Sequence, residues 1–234
     1  MKVSLPFFLS NSFLFFFVPD GFVYHLRRSI LIRMTIHLIE AHRGFNSNIY
    51  LLVSDRTCLI DAGCGDDSSG VISQIRSILG DRKLDLMILT HCHADHIGGA
   101  PDIQDEFGCM AYADWRETRA IAGAAARPMV CGPIGETDSF DLGGYRLRVI
   151  ETPGHTPGSI CLYDEISHSL FSGDTVFDGG VGRTDFPGGS AEDMIASLEK
   201  LRNFDISYLY PGHGTVSADG NMSVRTALTM MEGW

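Results

Sequence analysis

The chain has 234 residues, enough for one sizeable core or two small ones. With 44% hydrophobic and 20% charged residues it reads as a globular protein rather than a disordered one. Its formal net charge of −11 argues against a nucleic-acid partner, because such binding depends on Lys and Arg neutralising phosphates.

Residues 1–33 look foreign to the rest of the chain and are read as an N-terminal extension. Residues 4–18 are largely apolar, but the run is shorter than the roughly 20 residues a membrane-spanning helix needs. With Lys2 ahead of it the run could be the apolar region of a signal peptide, yet no A-x-A-like cleavage site comes after it. The favoured reading is a misplaced start, with Met34 opening one domain over 34–234. A membrane association is expected only if the extension is real.

From Met34 onward strands alternate with helices. Strands are expected at 35–40, 49–53 and 57–60, the last running into Asp61-Ala62-Gly63. Val71, Ile72, Ile75, Ile78 and Leu79 share one face of a helix over 69–79, which Gly80 ends. A fully buried strand is expected at 84–90, then helices at 98–107 and, from its alanine content, 113–126. Prolines and glycines make 127–144 loop and short strand. Later strands fall at 145–151, 159–163, 168–172 and 206–210. Ser190 caps a helix to about 203, with Met194, Ile195, Leu198 and Leu201 as its buried stripe, and a last helix covers 222–231. Hairpin-like strand pairs mixed with separate amphipathic helices imply sheets covered by helices on their outer faces.

None of the six cysteines forms a C-x-x-C pair, and their spacing suggests no disulfide framework. A reduced, cytoplasmic setting is expected. Cys58, Cys109 and Cys161 read as small buried hydrophobes. Cys92 lies inside a histidine-rich run but reads as a packing residue, since its neighbours already supply enough donors.

The chemistry concentrates in four segments. Thr90-His91-Cys92-His93-Ala94-Asp95-His96 supplies four donors within six residues. Pro153-Gly154-His155, Ser172-Gly173-Asp174-Thr175 and Pro211-Gly212-His213 supply three more. Each follows an expected strand, so four strand ends can converge on one spot. Gly154, Gly173 and Gly212 permit tight turns and close backbone approach beside the donors. Packing gives no reason to gather imidazoles and carboxylates in this way; desolvation and repulsion oppose it without a metal. Isolated His37, His42 and His168 read instead as surface or satisfied core residues. Imidazole and carboxylate donors suit zinc, iron or manganese. Seven donors exceed the needs of one tetrahedral ion, and a carboxylate such as Asp174 can bridge two. Two divalent ions, zinc first among the candidates, are therefore expected.

THCHADH, followed by TPGHTPGS, SGDTVF and PGHG, resembles the metallo-β-lactamase superfamily, and the likeness spans roughly residues 34–215. The resemblance implies an α+β fold, the four-layer αβ/βα sandwich, with the metals at the edge between the sheets. It implies that His91, His93 and His155 bind one ion, that Asp95, His96 and His213 bind the other, and that Asp174 bridges them. Asp61, in LIDAG, matches a position that supports the ligands from behind. The implied reaction is hydrolysis of a small-molecule substrate by a hydroxide held between the ions, with Asp95 as the catalytic residue that orients the water and accepts its proton. GDTVF and GRTDFPGG look like the glyoxalase II branch, which hydrolyses S-acylglutathione thioesters. They are also similar to persulfide dioxygenases, which use one iron, and a lactonase or β-lactamase would use the same metals. The stretch after His213 is short, so the likeness is to short glyoxalase II-like proteins rather than to those with a C-terminal helical domain. Arg183 is expected to pair with Asp185 for structural reasons.

Overall fold

The computed structural model describes residues 34–124 and 127–233; the readings made for residues 1–33 lie outside them. In chain order the first half contains β1 (Thr35–Ile39), β2 (Ile49–Val53), β3 (Thr57–Ile60), α1 (Ser68–Leu79), β4 (Leu86–Ile88), α2 (Ala94–Ile97), α3 (Ala100–Phe107), β5 (Met110–Asp114), α4 (Thr118–Ala124) and β6 (Cys131–Ile134). The second half contains β7 (Ser139–Asp141), β8 (Arg146–Glu151), β9 (Ile160–Asp164), β10 (Ser169–Gly173), β11 (Val176–Phe177), β12 (Gly180–Val181), α5 (Ala191–Leu201), β13 (Tyr208–Pro211) and α6 (Gly220–Glu232).

Strands β1 to β6 form one sheet in sequence order; the second runs β13-β10-β9-β8-β7. Alternation along the strands sends successive side chains to opposite faces and divides the core into three. Leu52, Cys58, Ile60, Leu86 and Ile88 of the first sheet pack with Leu147, Val149, Ile160, Leu162 and Phe171 of the second. The residues between them, Leu51, Leu59 and Met87, face the other way onto Val71, Ile75 and Leu79 of α1 and Ile103 of α3. On the far side, Ile150, Cys161 and Leu170 meet Met194, Leu198 and Leu201 of α5 and Val224 and Leu228 of α6. The layers are therefore helix, sheet, sheet, helix, the sandwich that the sequence resemblance implied.

One helical expectation shifts at its start and another is corrected. The helix expected at 98–107 forms as α3 but starts two residues later, after Gly98-Gly99, with Pro101 in its first turn; α2 ahead of it carries the second half of the histidine run. Residues 113–126 are not one helix. Met110–Asp114 is a parallel strand between β4 and β6. Its Ala111 and Ala113 face the helical layer, where small side chains let the helices approach, so tertiary placement overrides the helical preference of alanine. The strand expected at 84–90 shortens to Leu86–Ile88. The Ser190 cap forms as expected, accepting from the Asp193 N–H at 3.1 Å. The last helix starts two residues early, at Gly220, because Asp219 caps it through the Met222 N–H. Cys58, Cys109 and Cys161 are buried, and all six cysteines are free.

Candidate metal centre

Four strand ends deliver the donors and a fifth delivers Asp61 behind them. Asp61 follows β3 and His91 comes three residues after β4, both in the first sheet; His155 follows β8, Asp174 follows β10 and His213 follows β13 in the second. Helix α2 turns the chain immediately after His93, so Asp95 and His96 leave it in a different direction from His91 and His93. The loop after β3 holds that turn by backbone bonds, from Ala62 N–H to the His96 carbonyl at 2.7 Å and from Gly99 N–H to the Gly63 carbonyl at 3.1 Å.

The donors fall into overlapping triads whose atoms lie within 4.8 Å of one another: His91, His93 and His155; Asp95, His96 and His213; and His91, His96 and Asp174. In the first triad His93 Nδ1 stands 3.2 Å from His91 Nε2 and 2.8 Å from His155 Nε2. In the second, His213 Nε2 stands 3.1 Å from Asp95 Oδ2. Asp174 lies between them, with Oδ2 3.4 Å from His155 Nε2 and Oδ1 3.3 Å from His96 Nε2. All seven sequence-predicted donors thus meet at one place.

Whether such a group suits cations can be judged from its unsatisfied atoms. His96 Nε2 and Asp174 Oδ1 are both buried and have no hydrogen-bond partner among the described residues, although they face each other. Each such orphan costs about 1–3 kcal/mol in a folded protein. A cation between the triads satisfies both, and the donor types suit a borderline metal such as zinc.

The second nitrogens of three imidazoles are fixed from behind. His96 Nδ1 meets Asp61 Oδ2 at 2.8 Å. His91 Nδ1 meets the Thr90 hydroxyl at 3.1 Å, and that hydroxyl donates to Asp61 Oδ2 at 2.9 Å. Asp61 also accepts the Thr90 N–H at 2.8 Å. His155 Nδ1 meets the carbonyl of Arg183 at 2.6 Å. Asp61 is therefore where the sequence expects a supporting carboxylate. The Arg183 carbonyl was not foreseen, since a backbone atom leaves no sequence signature. The Arg183 side chain pairs with Asp185 at 2.8 and 2.9 Å, as expected, and lies over the Phe186 ring.

Burial, and then the neighbouring imidazoles, hold His91 well below its ordinary pKa and lower His93 as well, which leaves both in the neutral form that offers a lone pair. For His96 burial pulls downward, but Asp61 and Asp174 outweigh it and raise the ring to about 10. In the protein alone His96 carries the countercharge for these carboxylates, a proton that a bound cation would replace. Burial pushes Asp95 and Asp174 upward, yet the facing imidazoles, His213 and His96 foremost, win and keep both carboxyls low.

Close packing completes the centre. A Cβ on Gly212 would collide with Asp174 Oδ1 and stand 2.8 Å from His96 Cε1. Gly173, with φ +48°, turns the chain into Asp174 in a region that side chains disfavour. The mouth is aromatic. Phe45, 74% exposed, stacks on the His213 ring at 5.0 Å. Phe177 meets the edge of the same ring at 6.1 Å, and Phe186 meets His93 at 5.3 Å and His155 at 5.9 Å. None of the three phenylalanines was anticipated, because a single aromatic in a loop carries no periodic signal.

The sequence profile of the metallo-beta-lactamase superfamily matches residues 42–213. A probable metallo-hydrolase of Methanocaldococcus jannaschii is 34% identical over 189 residues, covering 74% of this chain and 90% of that protein. The hydroxyacylglutathione hydrolase GloC of Haemophilus influenzae is 29% identical over 203 residues, covering 80% of this chain and 94% of that protein. Among solved structures, a protein crystallised in a di-iron-bound form superposes with a TM-score of 0.69 at 26% identity, covering 82% of this chain and 98% of its own.

Proposed function

The chain belongs to the metallo-beta-lactamase superfamily, its relatives there include a probable metallo-hydrolase and a hydroxyacylglutathione hydrolase, and from that premise we propose a binuclear hydrolase of acyl thioesters or related acyl esters. The observation that carries this reading is the pair of donor triads flanking the carboxylate of Asp174, whose Oδ2 approaches His155 of one triad and His213 of the other while its Oδ1 approaches His96.

On this reading His91, His93 and His155 would hold one ion and Asp95, His96 and His213 the other, with Asp174 available to both. Two divalent ions, zinc foremost and iron or manganese otherwise, would supply Lewis-acid charge for a carbonyl and for the ionisation of water near neutral pH. The protein's own groups do the rest. Thr90, Asp61 and the Arg183 carbonyl fix the imidazole planes, so little reorganisation accompanies the reaction. Asp95 is the catalytic residue that orients the attacking water and takes its proton. Burial opposes it, but His213 and His96 hold its carboxyl low in the protein alone, so it is ionised and able to accept a proton. The phenylalanines at the mouth exclude water from one side and offer apolar area to an acyl group.

The similarity to a hydroxyacylglutathione hydrolase supports the thioester as substrate class. The same proposal places the protein in the cytoplasm, consistent with six unpaired thiols. Among the described residues no helix is long and apolar enough to cross a membrane. Thiol release from S-acylglutathiones tests the proposal. Turnover that is lost on chelation and returns with zinc supports it. Oxygen uptake with glutathione persulfide, without thioester turnover, would replace it with the one-iron dioxygenase reading.

A further inference from the structure

His213 is held differently from three of the other imidazoles. The second nitrogens of His91, His96 and His155 are bonded from behind. Nε2 of His213 faces Asp95 and Asp174, and among the described residues no hydrogen bond reaches its Nδ1. Where nothing grips the ring, its direction depends on the backbone that carries it. That backbone is the turn Pro211-Gly212-His213-Gly214, which leaves β13 at the end of the second sheet. On the side of β10 the turn is held by Gly212 N–H, which donates to the Gly173 carbonyl at 2.7 Å.

The first sheet holds it too, through Asn48, just ahead of β2. The backbone N–H of Asn48 donates to the Gly212 carbonyl at 2.6 Å. Its carboxamide nitrogen donates to the Pro211 carbonyl at 3.0 Å and to the Gly214 carbonyl at 2.9 Å. A carboxamide nitrogen has two hydrogens, and both go to carbonyls that bracket His213 in the chain. Every partner is an acceptor, so only a side chain with two donors serves here. The buried Tyr50 hydroxyl adds a bond to the Pro211 carbonyl at 2.8 Å. Immediately before Asn48, Ser47 N–H donates to the Asp95 carbonyl at 3.1 Å. Two consecutive residues thus hold the backbone of Asp95 and the turn of His213, two of the three donors in the second triad.

We propose that Asn48 is a positioning residue for the second triad. Its carboxamide clamps the turn around His213 and so aims that ring at the point it shares with Asp95 and His96. The inference rests on the reading of His213 as a metal ligand.

The test is zinc binding to the full chain, stripped of metal and titrated against a chromophoric chelator, with cobalt absorption as a second readout. His213→Ala identifies which of the two zinc equivalents depends on that ring. Groups behind metal ligands typically contribute about 10–100-fold in affinity. Asn48→Asp matches the native side chain in size but has no N–H to give. It is expected to weaken the equivalent marked by His213→Ala by about that factor, leave the other nearly unchanged and shift the cobalt bands. Unchanged affinity in a folded Asn48→Asp overturns the proposal. A loss shared equally by both equivalents also overturns it, because that is what a general loosening of the fold produces. If Asn48→Asp does not fold, Asn48→Ala, which removes the donors without adding charge, carries the same test with the same outcomes. A folded His213→Ala that binds both equivalents as tightly as wild type overturns the reading of His213 as a ligand, and the role of Asn48 with it.

Discussion

Asp61 accepts a hydrogen bond from Nδ1 of His96 at 2.8 Å, with both side chains sealed from solvent. Through the Thr90 hydroxyl the same carboxylate also reaches His91, so one side chain orients an imidazole in each triad. Asp61 does this from a left-handed backbone, φ 60°, at the end of β3. Asp61→Ala is expected to weaken zinc binding by about 10–100-fold. It also leaves the Thr90 N–H and His96 without an acceptor, at about 1–3 kcal/mol each. Asn tolerates the backbone and keeps an acceptor, so Asp61→Asn is expected to fall between Ala and wild type. Chelator competition and thermal denaturation measure the two effects; wild-type zinc affinity in Asp61→Ala contradicts the supporting role.

Gly212 leaves no room beside Asp174 and His96. Gly212→Ala is therefore expected to push these side chains apart and deplete the centre of metal, while the three core clusters, which do not include residue 212, keep the chain folded. The expected result is native circular dichroism with less than a tenth of wild-type turnover, on the order of 10-fold or more per displaced ligand. Full metal content in the variant contradicts the packing argument.

Asp95 and Asp174 sit in the centre rather than the core, and their cost falls on rate. Asp95→Ala and Asp174→Ala are each expected to lower kcat by about two to four orders of magnitude, the range associated with lost acid–base and electrostatic groups. Neither is expected to unfold the chain. Near-normal turnover in either folded variant contradicts its assignment.

Phe45 lies on His213 while remaining 74% exposed, an apolar ring held open at the mouth. Its loop is tied at the base, where Ser47 N–H bonds the Asp95 carbonyl and Asn48 N–H bonds the Gly212 carbonyl. Burying part of an aromatic ring on an acyl group is worth about 1–2 kcal/mol. Phe45→Ala is accordingly expected to raise KM about 5–30-fold for long or aromatic acyl thioesters, with little change for an acetyl thioester or in metal content. Equal effects on both substrates contradict an apolar acyl site.

Legibility in the sequence tracks the range of each interaction. His91, His93, Asp95 and His96 stand in one short run, and His155, Asp174 and His213 each stand beside a glycine at a strand end, so local pattern was enough to find them. The core stripes of α1 and α5 were legible for the same reason. Strand β5 was not, because Ala111 and Ala113 owe their conformation to the neighbouring strands rather than to their own preference. Phe45 and the Arg183 carbonyl also escaped notice. Each matters only through a partner far away in sequence, and one of them is a backbone atom whose residue type is immaterial.

The central claim is that two ions share the seven donors, and metal content per chain tests it most directly. Protein made anaerobically without added metal, then analysed for elements, is expected to carry about two divalent ions per chain, the count two triads sharing one carboxylate imply. One iron per chain, with a second equivalent refused even at excess metal, would contradict the binuclear hydrolase.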